Sequence, residues 1–132
     1  MTKERENYIV NNWAEMWIEN QILHVKYKEN VISDLQCGKK ILEDRLKISQ
    51  GKYYPVFGDC RGVKYWTKEN REFQSRKENY ELMKACTVLY TESHVANILL
   101  NFYLRVNKPL VPTKFCSNEK EALEWLKQFI EK

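Results

Sequence analysis

The sequence predicts an α/β domain: a single mixed sheet with helices mainly on one face. Three observations carry this. Residues Trp13 to Lys28 fit a β-hairpin, the remaining chain alternates helical and extended patterns, and 132 residues make one domain, 1–132. The expected order is β-hairpin-α-β-α-β-α-β-α. Strands separated by helices imply parallel neighbours joined by crossovers.

With Asn20-Gln21 as the hairpin turn, Ala14, Met16 and Ile18 face Tyr27, Val25 and Leu23 on one side. On the other side Glu15 meets Lys26, Trp17 meets His24 and Trp13 meets Lys28, pairs of favourable chemistry. The turn lacks the glycine that a primed turn favours. A helix follows over Ser33 to Ile48, with Leu35, Ile41, Leu42, Leu46 and Ile48 at helical spacing and Gly51 as its stop. Tyr53 to Phe57 reads as a strand, with Pro55 at an edge or non-donating position. It ends near Asp59, before the turn Cys60-Arg61-Gly62.

Thr67 is a helix N-cap, and Lys68 to Leu82 predicts an exposed helix with a thin seam of Phe73 and Tyr80. Ala85 to Tyr90 suits a buried strand. Ser93 caps a helix over His94 to Val106 that is apolar nearly all round, and Asn107-Lys108-Pro109 ends it. Val111 to Cys116 reads as the last strand. Asn118, with Glu121 three residues on, opens a final helix whose Ala122, Leu123, Leu126, Phe129 and Ile130 form an apolar face.

The composition, 43% hydrophobic and 30% charged, is that of a globular chain. The net charge of +4 comes from 22 basic and 18 acidic residues whose signs are mixed along the chain, which gives a solvated surface and no nucleic-acid footprint. The amino terminus is polar and carries no secretory signal, and Val95 to Val106 is interrupted by Asn97, Asn101 and Arg105, so it cannot span a bilayer. Cys37, Cys60, Cys86 and Cys116 are widely spaced with no Cys-x-x-Cys, which points to reduced thiols in the cytoplasm.

The layout, with the turn Gly58-Asp59-Cys60-Arg61-Gly62-Val63, resembles the STAS fold of bacterial anti-sigma factor antagonists. It is more closely similar to the small SpoIIAA-like (STAS/Sec14-like) domains of unknown function. The similar stretches are Trp17 to Val25, Asp59 to Thr67, Asn101 to Pro109 and Asn118 to Leu126. Antagonist-type STAS domains carry an acid at the strand end, then a Gly-Val pair, then a phosphorylatable serine at the next helix start. Asp59 matches the acid and Gly62-Val63 the pair, but Lys68 stands at the serine position. The resemblance therefore implies a phospho-switch only if Thr67 takes that role, at a helix start where phosphate is electrostatically favoured.

Cys60 beside Arg61 is a candidate nucleophile with a lowered pKa, but it needs a base, and the only histidines are His24 and His94. Trp66, not arginine, stands six residues after Cys60, so a phosphatase-type loop is absent. No spacing of His, Cys or carboxylates suits a metal, and no glycine-rich phosphate loop occurs, so no cofactor is expected. Trp13 and Trp17 on the hairpin, with Ile98, Phe102 and Tyr103 on the apolar helix, form a candidate dimer or apolar-ligand face.

The expectation is a non-enzymatic regulatory or scaffolding module acting by protein contact, as a homodimer and with a protein partner of unknown identity. Asp59, Arg61, Thr67 and Lys68 form its candidate contact face. A small apolar-ligand or lipid-binding module, by analogy with Sec14-like proteins, is the alternative, and membrane contact belongs to it.

Overall fold

The hairpin forms in the register that its side chains require. In the computed structural model, which describes residues 5–91 and 109–130, β2 (Ala14–Glu19) and β3 (Ile22–Tyr27) pair antiparallel, with Ala14 opposite Tyr27, Met16 opposite Val25 and Trp17 opposite His24. Asn20 and Gln21 both adopt left-handed backbone, φ 52° and 65°, which suits a type I′ turn. Glutamine pays a steric penalty there that glycine escapes. Gln21→Gly is expected to stabilise the fold by about 0.5–1 kcal/mol, read as a higher denaturant midpoint at unchanged slope.

The order of the main sheet is β1-β2-β3-β5-β7-β8, where β1 is Arg5–Val10, β5 is Tyr54–Asp59, β7 is Met83–Leu89 and β8 is Thr113–Cys116. The first two pairings are antiparallel and the last three parallel. β1 was not expected. Its sequence, Arg-Glu-Asn-Tyr-Ile-Val, alternates poorly because the strand breaks register between Glu6 and Ile9, at the positive-φ Asn7. β4 (Val31–Ser33) and β6 (Val63–Trp66) were also missed; they form a separate two-stranded parallel sheet and are too short to show a period.

Successive side chains on a strand point to opposite faces, so the sheet supports two cores. One gathers Met16, Leu23, Val25 and Val56 beneath α1 (Leu35–Ser49), which contributes Cys37, Ile41 and Ile48. The other gathers Ile22, Phe57, Ala85 and Leu89 beneath α3 (Glu119–Leu126), which contributes Ala122 and Leu126. α2 (Lys68–Gln74) packs on α1, where Gly38 leaves room for Asn70 and Phe73. Two of the described helices thus share one face and α3 covers the other.

The helix caps match the sequence: Asn118 accepts from the Glu121 N–H at 2.9 Å and Thr67 from the Asn70 N–H at 3.2 Å. The polar helix is shorter than expected. It ends at Gln74, and a 3-10 turn, Lys77–Tyr80, follows. Asn79 Nδ2 donates to the Phe73 carbonyl at 2.7 Å, and Arg45 on α1 donates to the carbonyls of Asn79 and Glu81, at 3.1 and 2.9 Å. These tertiary bonds hold the chain in a form that the helix pattern did not reveal. The expected helix His94 to Val106, with Ile98, Phe102 and Tyr103, lies outside the described residues.

Candidate functional site

The parallel register builds the floor of a cavity. Leu23, Val56, Cys86 and Thr113 align across four strands on the α1 face, and Val25, Gly58, Val88 and Phe115 form the next row. Gly58 has no side chain, so the second row dips between Val25 and Val88. Over this dip lies a cavity of about 200 Å³, walled by Ile41, Leu42 and Arg45 of α1, by Trp66 and Arg71, and by Tyr80 and Met83. Tyr27 meets Trp66 edge-on at 5.7 Å, closing the end beside Cys60. The lining is mainly apolar, a few polar groups converge on it, and it lies under rigid elements, which are the usual attributes of a small-molecule site.

Its two cysteines and Tyr27 are held toward their neutral forms. Burial pushes the Cys60 thiol well up, with Cys86 and Asp59 adding to the effect. Burial also pushes Cys86 up to about 11, against the pull of the Arg45 guanidinium, and raises the Tyr27 hydroxyl. Burial lowers the pKa of Arg45. Burial thus works against the activated thiol that the neighbouring Arg61 made a candidate at Cys60. His24 is no base for it, because His24 sits on the other face, stacked on Trp17 at 5.0 Å and edge-on to Phe57 at 5.4 Å. A raised pKa means the thiol keeps its proton until the pH climbs past its ordinary range. Site-resolved alkylation of Cys86 should accordingly stay slow at pH 8 and rise only toward about 11, as followed by mass spectrometry across a pH series.

The four residues of the expected contact face fall into two places. Asp59 is buried, and Arg61 grips it with both ends of its fork, at 2.9 and 2.8 Å. The same guanidinium, whose pKa is raised chiefly by its hydrogen bond to Asp59, donates to Glu119 at 3.1 Å. This cluster joins the loop after β5 to the start of α3, so Asp59 acts as an internal anchor rather than an outward contact. Thr67 and Lys68 stand beyond β6. The Thr67 N–H bonds the Ser33 carbonyl at 3.1 Å and its hydroxyl caps α2, while Lys68 is exposed. Beside them Ile32 and Tyr65 lie opposite each other, 53% and 52% exposed.

Trp17 is buried, at 6% exposure, because Tyr8 of the unforeseen β1 stacks on its other side at 5.9 Å. Trp13 is half-buried in the bend before β2 and packs on the α1-side core. The two rings therefore do not form one exposed face. Sequence reasoning missed Arg45, Gly58 and Arg71 as cavity residues. Arg45 had a signal, a charge in line with Ile41 and Ile48 on the apolar side of α1. Arg71 had none, in a stretch that is polar throughout.

Among the described residues no cluster of His, Cys, Asp or Glu suits a metal ion, and no helix is long and apolar enough to cross a membrane. No curated protein matches the chain significantly. Among solved structures it is similar to an uncharacterized protein of the DUF3478 family, with a SpoIIAA-like fold, from Shewanella loihica PV-4. The TM-score is 0.60 at 9% identity, covering 89% of this chain and 98% of that one, a likeness of fold. The model of a domain of unknown function, DUF7793, matches residues 16–130. With the SpoIIAA-like fold and a sequence match over nearly its whole length, the chain belongs to the DUF7793 family.

Proposed function

We propose that the protein is a non-enzymatic binding module whose cavity beneath α1 and α2 takes a small apolar ligand. The observation that carries this reading is the apolar cavity of about 200 Å³ opened at Gly58. A pocket of this size suits a ligand of about ten non-hydrogen atoms, between the simplest aromatics and a drug-sized molecule. The high thiol pKa of Cys60 and its distance in the fold from His24 favour binding over nucleophilic catalysis. Four free cysteines favour the cytoplasm as its setting.

Titration of the purified protein with 1-octanol and 2-naphthol, followed by calorimetry, tests the reading. A Cβ at position 58 would stand 3.3 Å from the Thr87 carbonyl oxygen, a tight backbone contact, and 3.9 Å from the Cys60 sulfur, so alanine fills the floor after a small shift of β5 against β7, and the thermal midpoint of the variant checks that the fold is kept. Saturable binding that Gly58→Ala weakens at least tenfold is the expected result. Absence of saturable binding to the wild type, or equal binding by the variant, would overturn it.

A second reading is contact with a protein partner or a second copy, acting in regulation or scaffolding. It is favoured by the paired exposure of Ile32 and Tyr65 beside Thr67 and Lys68. Sedimentation velocity at micromolar concentration tests the homodimer: a dimer that Tyr65→Glu dissociates supports it, and a wild-type monomer removes it.

A further inference from the structure

We infer that the ligand of this cavity is an apolar monocarboxylate, with its carboxylate held by Arg71 and facing Arg45. The inference rests on the binding-module reading above and names the ligand class. Among the described residues, Arg45 and Arg71 are the charged groups lining the cavity, and no Asp or Glu lines it.

Arg45 is 4% exposed, and its partners are the carbonyls of Asn79 and Glu81. Carbonyl oxygens satisfy its N–H groups but leave a full positive charge in an apolar wall. A buried charge is expensive until an opposite charge approaches it. Neither Cys86 nor Tyr27 supplies one, since burial holds both in their protonated forms, and the carboxylate of Glu81, an exposed residue outside the lining, acts on Arg45 less than burial does. Arg71 is half-buried, and one of its terminal nitrogens donates to the Trp66 carbonyl at 3.2 Å. Among the described residues the rest of its fork makes no other hydrogen bond, and a planar carboxylate is the group to which such a fork donates in two-point fashion.

The charge pattern thus selects an anion, while Val25, Val56, Val88 and Phe115 select an apolar body. The volume of about 200 Å³ is too small for the two chains of a phospholipid, so the acid is a free one, of medium chain length or with one or two aromatic rings.

The test is a paired titration of the whole protein by calorimetry, with octanoate against 1-octanol and 2-naphthoate against 2-naphthol. Each acid should bind at least tenfold more tightly than its alcohol at pH 7, and the preference should vanish as the pH falls through the carboxylate range. Arg71→Gln should weaken octanoate binding at least tenfold and 1-octanol binding far less. Its circular dichroism and thermal midpoint check that the fold is intact, and Arg71→Lys serves as a second variant that keeps the charge and loses the two-point fork. Equal affinity for acid and alcohol, or an equal loss of both in Arg71→Gln, would overturn the inference while the apolar pocket stands. Absence of binding by all four compounds would overturn both.

Discussion

Gly62→Ala is expected to cost about 3 kcal/mol of stability, the overpacking penalty at a site that cannot yield. A Cβ at Gly62 would press on the Lys28 carbonyl oxygen, with the carbonyl carbon at 2.8 Å and the Tyr27 oxygen at 3.0 Å. All three are backbone atoms at the end of β3, and that strand is held on both sides, by β2 and by β5. Gly62 is itself held there, its carbonyl accepting from the Val31 N–H at 3.0 Å. Relief would require the turn after β5 to pull away from β3 and strain the β4–β6 pairing. Gly51→Ala is the control. Gly51 has φ 78°, and a Cβ there would meet nothing within 4 Å, so the cost reduces to the left-handed backbone, about 1 kcal/mol. Denaturant midpoints of the two variants separate crowding from backbone strain; a loss at Gly62 no larger than that at Gly51 would refute the packing argument.

Asn70→Asp is expected to cost about 3 kcal/mol or more at pH 7, although it changes one atom. Asn70 is fully buried, and its Nδ2 donates to the Ser33 carbonyl at 3.1 Å and to the Ser33 hydroxyl at 2.7 Å. Its Oδ1 accepts from Gln74 at 3.2 Å and lies against Gly38. A carboxylate has the same shape but no donor, so an oxygen would face the Ser33 carbonyl and a buried charge would lack a cation. The packing of α2 on α1 and on the end of β4 depends on that amide. Folding would favour the protonated acid at position 70, so its pKa would rise in the native state. The penalty is then greatest at neutral pH and shrinks as the pH falls toward the carboxyl range. Urea melts at pH 7 and pH 4 check this; a pH-independent loss would point to shape rather than charge.

The hairpin and its register, the N-caps at Thr67 and Asn118 and the alternation of strand and helix were legible because each depends on neighbours in the chain. A period of two, a cap three residues before its acceptor and a turn with polar residues are local patterns. The stretches Tyr53 to Phe57 and Ala85 to Tyr90 overlapped β5 and β7, with ends displaced by one or two residues. At the site, Asp59 and Arg61 stood out in the sequence; that Asp59 is buried while Arg61 stays exposed above it did not. Their bidentate pairing depends on the turn that returns Arg61 over Asp59 and on Glu119, far along the chain.

The sequence by itself determined an α/β chain with a hairpin at its start, a polar surface and a glycine-rich turn after a central strand, because propensity, capping and side-chain alternation act over a few residues. Only the tertiary structure decided that Val25, Gly58, Val88 and Phe115 share a row, that α1 carries Arg45 over it, and that β1 covers Trp17 through Tyr8. Those relations come from strand order and register. These are set by which faces can bury together at once, a condition on the whole chain that no short window of residues contains.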